Sequence, residues 1–178
     1  MVNDISSYQP KFNESFFFDA NIWIFLYCPI ANTGKRKQNI YSNFLASVQR
    51  SNAGIYINSL VLSEFANRYL RIEFDFWKKE PGNANCIYKK DFVGSDKYKE
   101  VVGEIILQIK SILKLSEKAS DNFQAISIEN VFAEFGTCDF NDSYYIELAR
   151  MNNWKIITDD ADFFLNNQLG IDIISANL

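Results

Sequence analysis

Residues 16–23 read Phe-Phe-Phe-Asp-Ala-Asn-Ile-Trp. Three bulky apolar residues in succession, without polar alternation, are the pattern of a short strand covered on both faces, so residues 15–18 are expected to form a buried strand. The run stops at Asp19. Residues 21–27 then change to helical apolar spacing, and Pro29 ends them. The same order recurs near the other end of the chain, where Lys-Ile-Ile-Thr at 155–158 is followed by Asp159, Asp160 and Asp162. A short strand with an apolar centre that delivers an acid and then a helix belongs to a parallel sheet with helices on both faces.

The rest of the chain continues this alternation. A loop over 32–37 (NTGKRK) leads to a helix over 39–50, and Gly-Ile-Tyr-Ile at 54–57 is a second strand. Ser59 is placed to cap a helix over 60–77, and the polar stretch 78–85 (KKEPGNAN) interrupts the pattern. Val101, Val102, Ile105, Ile106, Ile109 and Leu113 give a long amphipathic helix over 97–115. Residues 124–135 are ambiguous, with a short helix near their end. A helix over 141–152, a helical turn over 162–167 and a last strand over 171–174 complete the reading. The expected architecture is α/β, three layers (α/β/α) around a mostly parallel sheet, with residues 1–178 as one domain whose helical middle, about 65–136, is enlarged.

Composition narrows the chemistry. The chain of 178 residues contains no histidine. That excludes Ser-His-Asp and Cys-His nucleophiles, HExxH zinc hydrolysis and proton shuttling through imidazole. Hydrolysis by this chain must run on carboxylates. Cys28, Cys86 and Cys138 are odd in number and far apart, forming neither a CxxC pair nor an evident disulfide framework, which suits a reducing cytoplasm. No secretory leader is apparent, and the longest apolar stretch, 20–30, is too short to span a bilayer, so no membrane is expected. The net charge of −4 conceals an asymmetry: residues 119–178 carry ten acidic and two basic side chains. A local basic patch suffices for phosphate contacts, so the acidic total leaves nucleic acid open as a partner.

The acids fall where such sheets bind ligands, beyond the carboxyl ends of the strands. Asp19 and the group Asp159, Asp160 and Asp162 each follow a strand. Glu64 lies on the same helical face as Leu60 and Val61, and Asp142 begins a stripe that continues through Ile146 and Ala149. Taken singly, Asp19 and Asp142 read equally well as a helix cap and a first-turn acid. A convergent set is different. Like charges near 4 Å repel by about 4 kcal/mol at an effective dielectric near 20, so a cluster requires a cation, and an all-oxygen donor set selects Mg²⁺ or Mn²⁺.

Four segments, FFFDANIW at 16–23, SLVLSEFANR at 59–68, DFNDSYYIELAR at 139–150 and ITDDADF at 157–163, together resemble the PIN-domain nucleases, a family that includes the VapC-type toxins of toxin-antitoxin pairs. The resemblance implies an acidic quartet of Asp19, Glu64, Asp142 and Asp160 as catalytic and metal-holding residues, with Asp139 as an auxiliary acid. Asn21 and Thr158 match supporting polar positions, and Asp162 matches a further acid that also reads as a helix cap. It further implies Mg²⁺ or Mn²⁺ as cofactor, an RNA substrate hydrolysed by an endoribonuclease, and an antitoxin protein as partner. Lys35, Arg36, Lys37 and Arg68, with the interleaved aromatic and basic residues between Tyr69 and Tyr98, are candidates for following an RNA backbone. The alternative is that those rings pack a core or the face of a homodimer.

Two other functions fit less well. A Mg²⁺-binding receiver-like signalling domain needs a phosphorylatable Asp after a middle strand and a Lys near the last, and neither GIYIN nor IDII supplies them. A haloacid-dehalogenase-like phosphatase needs DxD after the first strand, whereas this chain has Asp19-Ala20-Asn21.

Overall fold

A computed structural model describes residues 1–31, 35–164 and 170–177. In chain order the elements are β1 (Val2–Asp4), β2 (Ser15–Phe18), α1 (Ala20–Tyr27), α2 (Lys35–Arg50), β3 (Gly54–Ile57), α3 (Ser59–Trp77), α4 (Asp96–Leu115), β4 (Glu117–Lys118), α5 (Ile128–Glu134), α6 (Phe140–Asn152), β5 (Lys155–Ile157) and β6 (Ile173–Ser175). A π-helical turn at Tyr88–Phe92 precedes α4, and a 3-10 turn at Ala161–Phe164 follows β5.

The phenylalanine run decides the centre of the molecule. β2 lies between β5 and β3 in a sheet of order β1-β6-β5-β2-β3-β4, and every pairing is parallel. Successive side chains of a strand point to opposite faces. Phe16 and Phe18 accordingly meet Phe44 of α2, with ring centroids 5.9 and 6.4 Å apart, while Phe17 meets Tyr145 of α6 at 5.2 Å and stacks on Trp154 at 5.5 Å. All three are fully buried. A strand packed on both faces has no polar position to spare, which is why its sequence does not alternate.

The order of strands places the functional crevice. From β2 the chain moves outward on one side to β3 and β4, then returns across β2 to build β5 and β6 on the other. The boundary between β2 and β5 is therefore the switch point of the sheet, where the loops at the carboxyl ends diverge and leave a gap. Helices α1, α3 and α6 run against the strands, so α1 and α3 start at this edge directly after β2 and β3, and α6 starts there before it descends to β5. The return from α6 into β5 is abrupt. Asn153 adopts the left-handed conformation (φ 53°), and the Trp154 N–H reaches the Ala149 carbonyl at 2.9 Å.

Several expectations need correction. Lys35, Arg36 and Lys37 do not lie in a loop: they form the first turn of α2. The cap of α3 is Asn58, whose Oδ1 accepts the Val61 N–H at 3.0 Å, and Ser59 is already the first helical residue. The last strand begins at Ile173 and ends at Ser175, two residues later than the apolar start of IDII suggested. Of the expected loop and helical turn, residues 32–34 and 165–167 lie outside the described residues. In the middle segment the interleaved rings pack on one another. Phe92 is fully buried and sits 5.4 Å from Phe74, 5.3 Å from Trp77 and 5.7 Å from Tyr98, while the Arg71 guanidinium covers the Tyr88 ring at 3.7 Å. Among the described residues all three cysteines are free, and no helix is long and apolar enough to cross a membrane.

Candidate active site

Asp19 occupies the N-cap position of α1, yet its carboxylate makes no side-chain capping bond to that helix. Its Oδ2 is instead held from two sides, by Asn21 Nδ2 at 2.6 Å and by Thr158 Oγ1 at 2.8 Å. Asn21 also donates to Thr158 Oγ1 at 3.1 Å, and the Asp160 N–H donates to the same oxygen at 3.0 Å. A small buried network thus clamps the ends of β2 and β5 together, continuing the ladder in which the Asp19 N–H reaches the Ile157 carbonyl at 3.0 Å. Both polar residues expected beside the first and last acids are in this network.

Asp142, in the first turn of α6, is nearly buried at 8% exposure. It does not cap its helix. Asp139 does that, accepting the Asp142 N–H at 2.9 Å as the N-cap of α6. Glu64, half-buried on α3, accepts from the Tyr145 hydroxyl of α6 at 3.2 Å. That bond ties together the two helices that carry Glu64 and Asp142. Asp160 is half-buried, with its Oδ1 accepting the Asp162 N–H at 3.1 Å, whereas Asp162 is itself exposed. Asp159 faces away from the group: it pairs with Lys37 at 2.5 Å and accepts from the Tyr41 hydroxyl at 2.8 Å.

The acids influence one another's ionisation. Burial, then the charges of Asp19, Asp139, Asp160 and Glu64, push the Asp142 carboxyl up to about 9. Burial, then Glu64, raises Asp19 to about 7 against the opposing pull of the Thr158 hydroxyl, and Asp160 adds to the rise. Burial also raises Glu64, opposed by the Tyr145 hydroxyl and by Arg68, one turn further along α3. Lys35 and Arg36 are exposed at the start of α2, and Arg68 is exposed on α3. As the side chains lie, no group of three or more acidic or thiol residues among the described residues is arranged to hold a metal ion. The donor set fits a hard divalent cation, since every candidate ligand is oxygen and the negative charge exceeds what Arg68 offsets.

Sequence reasoning missed two partners of this group. Tyr145 and Asn141 both hydrogen-bond Glu64. Tyr145 follows Asp142 by three residues and so shares its helical face, a spacing that was readable.

These shifts have a consequence for the metal-free protein. Asp142 and Asp19 bind protons more tightly folded than unfolded, so between about pH 4 and pH 9 the native state holds the extra protons and stability falls as pH rises. Urea midpoints measured in EDTA should decline steadily from pH 5 to pH 8.5. A flat or rising profile would contradict the crowding.

Three comparisons with known proteins bear on this arrangement. No curated protein matches the chain. Among solved structures, a chain from the crystal structure of VapBC2 from Rickettsia felis bound to a DNA fragment from their promoter superposes with a TM-score of 0.55 at 14% identity, covering 90% of this chain and 98% of that one. At that identity the likeness concerns the fold, and it agrees with the three-layer α/β/α arrangement around an all-parallel sheet. The family model of the PIN domain, in general a nuclease domain, matches residues 16–166, from the first phenylalanine of β2 to beyond the acids that follow β5. The chain belongs to the PIN-domain family.

Proposed function

We propose that the protein is a Mg²⁺- or Mn²⁺-dependent endoribonuclease, with Asp19, Glu64, Asp142 and Asp160 as the residues that hold the cation. The observation that carries this reading is Asp142: a buried carboxyl at the start of α6, raised to about 9 by burial and by the charges of Asp19, Asp139, Asp160 and Glu64. Such an arrangement is costly unless a cation offsets it, and perturbed acids at a sheet switch point mark functional sites. A divalent ion bound there supplies activation of water and stabilisation of the leaving oxygen.

The chain's own residues prepare that chemistry. Asn21 and Thr158 fix the Asp19 carboxylate, and the Asp160 N–H locks Thr158 in turn, so the two strand-end acids keep one geometry. Tyr145 orients Glu64. Lys35 and Arg36 in the first turn of α2, beside the Lys37–Asp159 pair, and Arg68 near Glu64 are positioned to meet phosphates of an RNA strand approaching this edge. The absence of histidine agrees with catalysis that needs no imidazole.

The fold shared with a chain of a VapBC complex supports the narrower reading, a cytoplasmic toxin held in check by an antitoxin protein. The test is direct. Protein shown to be free of any bound partner should cut single-stranded RNA in Mg²⁺ or Mn²⁺. No cleavage with either ion, or cleavage undiminished in EDTA, would remove the proposal.

A further inference from the structure

The interleaved rings and cations of the middle segment separate in the structure, the rings turning inward and the cations staying outside. Phe74 and Phe92 are buried and Trp77 and Tyr88 half-buried, in a cluster whose ring centroids lie 5.2 to 6.2 Å apart. Arg68, Arg71, Lys79, Lys89 and Lys90 are exposed, and Lys78 is half-buried. Among the described residues none of these six forms an ion pair with a carboxylate, whereas Lys97 and Lys99 at the start of α4 do. Of the four acids on the same stretch, Glu73 is buried against Lys97 and Asp91 accepts the Ile87 N–H at 2.7 Å, which leaves Asp75 and Glu80 exposed without such partners. Positive charge therefore prevails on this surface, in a chain that is acidic as a whole.

The cations are held in place without being neutralised. The Arg71 guanidinium lies 3.7 Å from the centroid of Tyr88, Lys79 Nζ 4.5 Å from that of Phe76 and Lys78 Nζ 5.7 Å from that of Phe74. A cation on a ring face is fixed in position yet keeps its net charge and its outward N–H groups for an anion, which an ion pair would have consumed. Their placement begins at the acids. At 100° and 1.5 Å per residue, Arg68, Arg71 and the C-cap residue Lys78 lie within about 40° of Glu64 around α3, and about 6, 10 and 21 Å beyond it along the axis. Arg68 is close enough to oppose the rise of the Glu64 carboxyl. Lys89 and Lys90 follow Tyr88 on the π-helical turn, and the Arg71–Tyr88 contact brings that turn to the same ridge.

We propose that this ridge carries the phosphate backbone of a single-stranded RNA arm that leaves the cleavage site along α3. A polymer cut beside Glu64 continues past it, and the face of α3 that bears Glu64 leads directly to the cations. Contacts to phosphates alone hold and orient a strand without choosing its sequence. The rings beneath serve as the platform that fixes the cations, which gives the enlarged middle segment a purpose other than stacking on bases. An acidic protein segment would feel the same charge, but continuity with the acids on one helix face favours the polymer that the crevice cuts. The inference rests on the ribonuclease reading and adds to it a path for the substrate, about 20 Å long.

The test measures binding of a fluorescein-labelled oligouridylate of about 16 nucleotides to the full-length protein in EDTA, over a series of salt concentrations. Lys89→Gln with Lys90→Gln should weaken binding about tenfold at about 0.1 M salt, and adding Arg71→Gln should weaken it further. Each cation removed should flatten the plot of log Kd against log salt by about 0.7. Lys11→Gln with Arg50→Gln removes as much charge from exposed positions off the ridge and should change neither quantity. The lysine pair lies over no ring, so it decides the matter if loss of Arg71 disturbs the turn. RNA affinity and salt slope unchanged in the lysine pair would hand the ridge to an acidic protein and overturn the inference, as would an equal loss in the Lys11 and Arg50 pair. Binding in EDTA requires no catalysis, so the two readings fail separately. RNA cleavage in Mg²⁺ by a protein whose ridge variants bind as the wild type does leaves the nuclease and removes the path. Ridge-dependent binding without cleavage in either metal does the reverse.

Discussion

Asp142→Asn is expected to lower metal-dependent RNA cleavage at least about 10²-fold, the scale set by removing one precisely aimed charged or polar group from a reacting centre. It should simultaneously make the metal-free protein more resistant to urea at pH 8. The two effects have one cause. In the wild type, burial and the neighbouring acids raise this carboxyl to about 9, so near pH 8 folding must either keep a proton on it or accept repulsion from Asp19, Asp139, Asp160 and Glu64. Asn has the same shape and no charge. It also leaves the start of α6 intact, because the capping oxygen belongs to Asp139 and the bond it receives is from the backbone N–H of residue 142. A residue that served only the helix would show the opposite combination, with activity retained and stability little changed. The decline of stability between pH 5 and pH 8.5 should likewise flatten in this variant, since its largest contributor is gone.

The second large effect is the response to metal. A ligand that binds only the native state stabilises it by about 2.7 kcal/mol at a hundredfold excess over its dissociation constant, which for a chain of this length raises Tm by roughly 5–10 °C. Mg²⁺ or Mn²⁺ should produce such a rise in the wild type, EDTA should reverse it together with cleavage, and Asp142→Asn should show little of it. The increment should grow with pH up to about 9, because the ion competes with the protons held on Asp19 and Asp142. A melting temperature indifferent to 10 mM of either ion would dissociate the acid cluster from metal binding.

The centre of the fold was legible because one physical demand dominates it. Residues 16–18 have no polar position, and only a strand covered on both faces uses three phenylalanines in that way. The acids at 19, 64, 142 and 160 were legible for a related reason, since each interrupts an apolar pattern at a strand end or on an inward helix face. Among the three acids after β5, strand position alone does not choose; the family resemblance singled out Asp160. What separates Asp159 from Asp160 is Tyr41 and Lys37, about 120 residues earlier, which draw the first of the two aside. β1 and β4 were invisible because they sit at the sheet edges: Val-Asn-Asp and Glu-Lys carry no buried pattern, and the pairings with β6 and β3 that define them are not local. The exchange of Ser59 for Asn58 as the cap of α3 is a one-residue matter.

The clamp between Asp19 and Thr158 joins residues 139 positions apart in the chain, across strands that lie side by side. On a ribosome, which releases the chain from its amino end, β2, β3 and the helices that follow can be complete while the place beside β2 is still vacant. Pairing over such a separation comes late, since the loop must close before the contact repays it. The acidic centre is thus incomplete until β5 has emerged: Asp19, Asn21 and Glu64 come early, but Thr158, the second partner of Asp19, follows 139 residues after it, with Asp160 beyond. On the proposed reading, any nascent fragment ending before β5 would lack a competent cutting centre, and the site would be completed in a single step once Thr158 and Asp160 have emerged.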